Sequence, residues 1–378
     1  MRTMTLNGVV SGIAILAISQ TGYGSESMTA EPPKTEEKQP DFKPGFVPAA
    51  EIFAQYTNNL DYGSASGDEV IHGFELSRMS FGARGKFTPQ LGGGLMLEAA
   101  RYGTYSVSVP TYSLDDSGQL VMTEGTPILW DRGNNRLTMF VKRAALEYDD
   151  TKNSGLKLTF GMTTSAWPIY EENIWGLRYV AGAYTDIWRS GHTVDLGVSL
   201  NGNHFGGLLD YQLSIMNAEG PRKANVDNRL QYQARVTVAP LASNPDLKGL
   251  KLAGYFDYGL LDAEGHYRMS TFGSASFESS LITAYAGFYR LDYHEVISGG
   301  FSGILSLMPV KATRIFARFD TYDPDWETAL DGQQLIIAGV AYDLTKGLNV
   351  ALDTQLTMYE NTDLELSKML ALHTRLAF

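Results

Sequence analysis

From about Ala49 to Phe378 the sequence repeats with a period of two and nowhere settles into a helical period. In LKLTFGM, Leu156, Leu158, Phe160 and Met162 alternate with Lys157, Thr159 and Gly161. In LQYQARVTV, Leu230, Tyr232, Ala234, Val236 and Val238 alternate with Gln231, Gln233, Arg235 and Thr237. Successive side chains of a strand point to opposite faces, so each stretch is a strand with one apolar face. More than three hundred residues of this pattern make the chain all-β.

The second face decides what the apolar face meets. It carries Arg78, Arg84, Lys86, Glu98, Arg143, Lys157, Asp195, Arg235, Arg314, Arg318, Asp320 and Arg375. A dry sandwich core does not hold so many charges, whereas a water-filled lumen does. The apolar face then belongs against lipid. Short turns at 88–93, 149–155, 203–207, 308–311 and 343–347 contrast with long polar connections, the longest near 103–135 and 165–190. That asymmetry is the habit of outer-membrane barrels. Fifteen strands can be placed, and single-chain bacterial barrels use an even number. The expectation is a transmembrane antiparallel β-barrel of 16 strands, with 14 as the alternative, and the uncounted strand lies within 262–300. The last strand puts Leu370, Leu372, Leu376 and Phe378 outward, so Arg at Leu372 should cost far more than Arg at Ala371 on the opposite face.

Residues 1–24 read as a signal peptide. Arg2 precedes the apolar run Val9–Ile18, and Gly22 and Gly24 stand at cleavage spacing. That run is too short to span a bilayer. Residues 25–48 are rich in Pro and charge, lack an apolar face and read as a disordered periplasmic linker, leaving 49–378 for the barrel. The net charge of -12 excludes a basic nucleic-acid footprint. The absence of Cys excludes disulfides, thiolate metal sites and Cys nucleophiles.

Several segments resemble the phosphate-selective porin O/P-type family. FELSRMSFGARGKFTPQLGGGLMLEAA resembles its opening hairpin, and LTFGMTTSAWPIYEENIW its strand ending in Gly and a Pro-bearing loop. DLGVSLNGNHFGGLLDYQLSIMNAEG and RIFARFDTYDPD resemble a Gly-linked hairpin and a late Arg-x-x-Asp strand. The resemblance implies a homotrimeric porin of the Gram-negative outer membrane, in contact with outer-membrane lipid and lipopolysaccharide. Terminal Phe378 resembles the assembly signal read by the barrel assembly machinery. The sequence departs from the family where selectivity is set. The 165–190 segment has Glu171, Glu172 and Asp186 against Arg178 and Arg189, and no Lys.

The resulting expectation is passive diffusion of small hydrophilic solutes or ions with weak charge selectivity. The alternatives are an anion- or phosphate-selective porin, a barrel hydrolase, or a plugged structural barrel. The charges named above are candidate pore-lining residues, with Arg78, Arg84, Lys86, Arg314 and Arg318 forming one cationic stripe. Each can instead pair with a neighbouring strand and stiffen the wall. Glu171, Glu172, Trp175 and Arg178 are constriction candidates if the 165–190 loop folds inward. Its aromatics suit an interfacial girdle equally. The acids of DTYDPDWE lack the Gly-bearing calcium pattern and read as a solvated loop, so no metal or cofactor is expected. Six scattered His, with no His-Glu-x-x-His or Gly-x-Ser-x-Gly, argue against an enzyme.

Overall fold

The computed structural model describes residues 43–60, 72–101, 111–114, 120–123, 137–188, 191–218, 220, 229–260, 265–294, 296–362, 364 and 366–378. The strands begin with β1 (Gly45–Asn59), β2 (His72–Lys86), β3 (Leu91–Arg101), β4 (Thr111–Leu114), β5 (Leu120–Thr123), β6 (Leu137–Asp150) and β7 (Leu156–Thr164). Two helices follow, α1 (Ala166–Trp175) and α2 (Tyr184–Ile187). Then come β8 (Val194–His204), β9 (Leu209–Met216), β10 (Gln231–Val238), β11 (Leu250–Leu260), β12 (Tyr267–Glu278) and β13 (Ile282–Tyr293). The chain ends with β14 (Val296–Val310), β15 (Thr313–Asp323), β16 (Gln333–Thr345), β17 (Leu348–Tyr359) and β18 (Ser367–Ala377).

Sixteen strands close one antiparallel barrel, in which β3 pairs with β6 past the separate β4–β5 hairpin and β18 pairs with β1. The strand count is the expected one, and β12 and β13 account for the region 262–300. The signal peptide and most of the linker lie outside the described residues. One boundary differs. β1 starts at Gly45, and Gly45–Pro48 pair with Lys86–Ala83 of β2. On the other side, β18 reaches only to Glu51 and Ala50. This segment is therefore an edge, where Pro48 loses no ladder bond, and that is why a Pro-rich stretch still forms strand.

The alternation read from the sequence is the alternation of the wall. On β10, Tyr232, Val236 and Val238 are exposed, whereas Gln231, Gln233, Arg235 and Thr237 are buried. On β18, Leu370, Leu372 and Leu376 are exposed, while Ala371 and His373 are each 1% exposed. The inner face at Ala371 is thus packed rather than open, which overturns the expectation that Arg would be tolerated there. The phase slips once with consequence. Met96 pairs with Arg143 and Leu97 with Val141, so Lys142 is the extra residue of a β-bulge. A bulge moves the following residues to the other face. Both Lys142 and Arg143 consequently belong to the inner face.

Candidate functional site: a constriction inside the barrel

The segment joining β7 to β8 lies within the lumen. Its neck is closed by the Ser165 N–H donating to the Thr193 carbonyl at 3.0 Å. α1 ends at Gly176, whose φ of 67° reverses the chain and lets its N–H reach the Glu172 carbonyl at 2.8 Å. Trp167 packs on Tyr255, Phe272 and Tyr289, the inner faces of β11, β12 and β13, at 5.8, 5.6 and 6.2 Å. Trp175 packs on Phe316 of β15 at 5.7 Å, and Tyr179 on Phe53 of β1 at 6.3 Å. A segment touching the inner faces of strands so far apart can only lie inside them. Trp167, Trp175 and Tyr184 are 0% exposed, so these aromatics are a core within the lumen and not an interfacial girdle.

A polar latch fixes this segment to β15. Arg318 donates to Asp320 from Nε at 3.0 Å and from Nη2 at 2.6 Å, and from Nη1 to the Gly182 carbonyl. Its guanidinium carbon sits 5.5 Å from the centre of the Trp175 ring. Arg314 donates to the Trp175 carbonyl at 3.3 Å. Glu171 accepts the Tyr184 N–H at 2.6 Å and is completely buried. Burial pushes its carboxyl up to about 7, partly offset by the charge of Arg318. These contacts correct two expectations. Glu171, Trp175, Arg318 and Asp320 are buried where the loop is anchored and do not line open water, while Arg314, half-buried, braces the end of α1. Nor is there one cationic stripe, because β1, β18, β17 and β16 separate β2 from β15.

The remaining candidates are spread over the loop and the wall. On the loop, Arg178 pairs with Glu172 and, at 2.8 Å, with Asp186. On the wall, Arg78 Nε donates to Glu98 at 2.8 Å. Lys142 donates to Thr193 Oγ1 at 3.0 Å and stands 3.7 Å from Glu98. Lys142 thereby ties the wall cluster to Thr193 at the neck of the inward loop. Toward the short turns, Glu147 pairs with Arg143 and with Lys157 at 3.2 Å, and Lys86 lies 3.8 Å from Asp149. Arg84 is exposed on the same face. Arg235 pairs with Asp210 at 2.6 Å and lies over Tyr170. Arg375 pairs with Glu51 at 2.6 Å. Asp195 is 3% exposed and accepts the Leu196 and Gly220 N–H groups, so it braces the start of β8 rather than facing solute. A cavity of about 270 Å³ opens along β6–β9 between Arg143, Glu147, Lys157, Thr159, Asn201 and Asp210.

Lys142 is the functional candidate that period-two reading misses, since strict alternation places it outward. His373 and Asp353 meet at 2.9 Å, but their side chains are 1% and 0% exposed and present no surface to a substrate. The acids at 323–327 serve their own turn, with Asp323 accepting the Asp325 N–H and Asp325 the Glu327 N–H, both at 3.1 Å.

The chain matches no family model and no curated protein. It is similar to solved outer-membrane channels. OprB of Pseudomonas putida aligns with a TM-score of 0.61 at 10% identity, covering 88% of this chain and 94% of that one. An anion-selective porin from Comamonas acidovorans aligns with a TM-score of 0.61 at 11% identity, covering 89% and 100%. OmpF of Salmonella typhi, in complex with daunomycin, aligns with a TM-score of 0.57 at 12% identity, covering 88% and 97%. The likeness is one of fold, that of the sixteen-stranded porin barrel.

Proposed function

We propose that this chain is an outer-membrane porin through which small hydrophilic solutes diffuse passively, with a weak preference for anions. One observation carries the reading. The inward loop packs on the inner faces of β11–β13, β15 and β1, and a charged cavity of about 270 Å³ stays open along β6–β9, which supports a conduit on that side of the barrel. On that wall Arg78, Arg84, Lys86, Lys142, Arg143 and Lys157 stand against Glu98, Glu147, Asp149 and Asp210, an excess of two cations. The loop opposes them with Glu172 and Asp186 against Arg178. Charges act on an ion within about 8 Å at physiological salt, so these local groups set the sign and the net charge of the chain does not. The wall cations are mostly engaged by acids, which argues for weak selectivity rather than the phosphate specificity implied by the resemblance. The exposed outward rows of Leu, Phe, Val and Tyr meet lipid and lipopolysaccharide, the working form is a homotrimer, and Phe378 is the residue read by the assembly machinery.

The test is conductance in a planar bilayer under a salt gradient. Stepwise ohmic openings with a modest reversal potential toward chloride support the reading. A silent protein that hydrolyses lipid or peptide replaces it with a barrel hydrolase. A silent, inert protein replaces it with a structural barrel. Block of chloride current by submillimolar phosphate restores phosphate selectivity.

A further inference from the structure

We propose that the cavity on the inner faces of β6–β9 is a binding subsite for uncharged polyhydroxylated solutes of the sugar type. The proposal rests on the pore reading above and specifies what that conduit retains. Its floor is a patch of neutral hydrogen-bonding side chains set by strand register. Thr159 stands opposite Ser199, Asn201 lies between Lys157 and Gln212, and Asn203 is opposite Asp210. Among the described residues, no hydrogen bond to protein is formed by the amides of Asn201 and Asn203. Each amide offers two donors and an acceptor to whatever enters.

The charges around this patch are already compensated. Glu147 is held by Arg143 and Lys157, and Asp210 by Arg235. Their spare lone pairs and N–H groups still face the cavity as acceptors and donors, side by side. An anion seated here lies against the carboxylates of Glu147 and Asp210. A cation lies against Arg143 and Lys157. A neutral hydroxyl donates and accepts at once, so a solute carrying several hydroxyls satisfies both sets without meeting a like charge. About 270 Å³ of open volume gives room for such a ring while its hydroxyls reach the wall.

The experiment is single-channel current in a planar bilayer with maltose or glucose added in the millimolar range. A polyethylene glycol of similar size controls for exclusion and viscosity, and succinate and inorganic phosphate serve as anionic probes. Saturable block by sugar, absent with the glycol and weaker with both anions, is the expected result. The double variant Asn201→Ala with Asn203→Ala should raise the half-blocking sugar concentration on the order of tenfold, the loss of one to two neutral hydrogen bonds. Thr159→Val, nearly isosteric, should give a smaller rise in the same direction. Equal, non-saturating reduction by sugar and glycol overturns the proposal while leaving the pore intact. So does tighter block by either anion, or unchanged sugar block in the double variant. A silent channel overturns the pore reading and this proposal together.

Discussion

Replacing Glu171 by Gln should remove a pH dependence from the docking of the inward loop. Glu171 is sealed between the loop and the wall, facing the Tyr184 N–H of α2, Arg318 and Asp320 of β15, and Tyr285 and Tyr289 of β13. Its carboxyl moves from the ordinary 4.5 to about 7, chiefly through burial. At roughly 1.4 kcal/mol per pH unit, ionisation in the docked state costs ~3 kcal/mol. The docked value is raised, so docking is strongest below 4.5, where the acid is neutral in both states. It weakens as pH rises toward 7 and levels off above. In lipid nanodiscs, hydrogen exchange of the amides of 171–188, corrected for intrinsic rates, reads the opening equilibrium. Opening in the wild type should grow on the order of a hundredfold between about pH 4.5 and pH 8. Glu171→Gln keeps an oxygen for the Tyr184 N–H and carries no charge, so its opening should be flat over that range. A flat wild type, or a variant that keeps the wild-type slope, refutes the argument.

Asp320→Asn leaves Arg318 buried without its counter-charge, in a pair whose side chains are both 0% exposed. The loss should be ~3–5 kcal/mol, read as a lower unfolding midpoint, and a loss under about 1 kcal/mol contradicts the latch. Leu372→Arg places a charge on the outward face and should cost ~2–4 kcal/mol, whereas Asn201→Arg points into the open cavity and should cost less; equal costs in a refolding titration mean the faces are misassigned. Neutralising Arg78 and Arg84 should move the reversal potential toward cations, because Glu98 loses the donor at 2.8 Å, while Glu172→Gln should move it toward anions. No shift in either variant places the conduit elsewhere.

The barrel was legible because a strand with lipid on one side and water on the other writes its two solvents into alternate residues. Tyr232 and Gln233 need no partner information to be sorted. The loop was not legible in the same way. Trp167 and Trp175 suit a lipid interface and a lumen core equally, and only the facing Phe272, Tyr289 and Phe316 decide between them. Alternation likewise put Arg318 on the inner face but carried no information about what lies over it. Lys142 was lost for a different reason. A bulge is a property of two paired strands, and the partner β3 lies far from Lys142 in the sequence.

The seam between β1 and β18 has a consequence for how such a chain is made. Ala50 and Phe378 exchange backbone hydrogen bonds at 2.8 and 3.0 Å, and Glu51 stands opposite Ala377. The first strand therefore waits, with one row of N–H and C=O groups unsatisfied, until β18 has been synthesised and delivered. A chain that lacks β18 cannot shut the cylinder in this register, and it exposes two strand edges of the kind that template aggregation. Loss of β18 should convert a membrane-inserted cylinder into an open sheet, a substrate for periplasmic chaperones and proteases rather than a leakier pore.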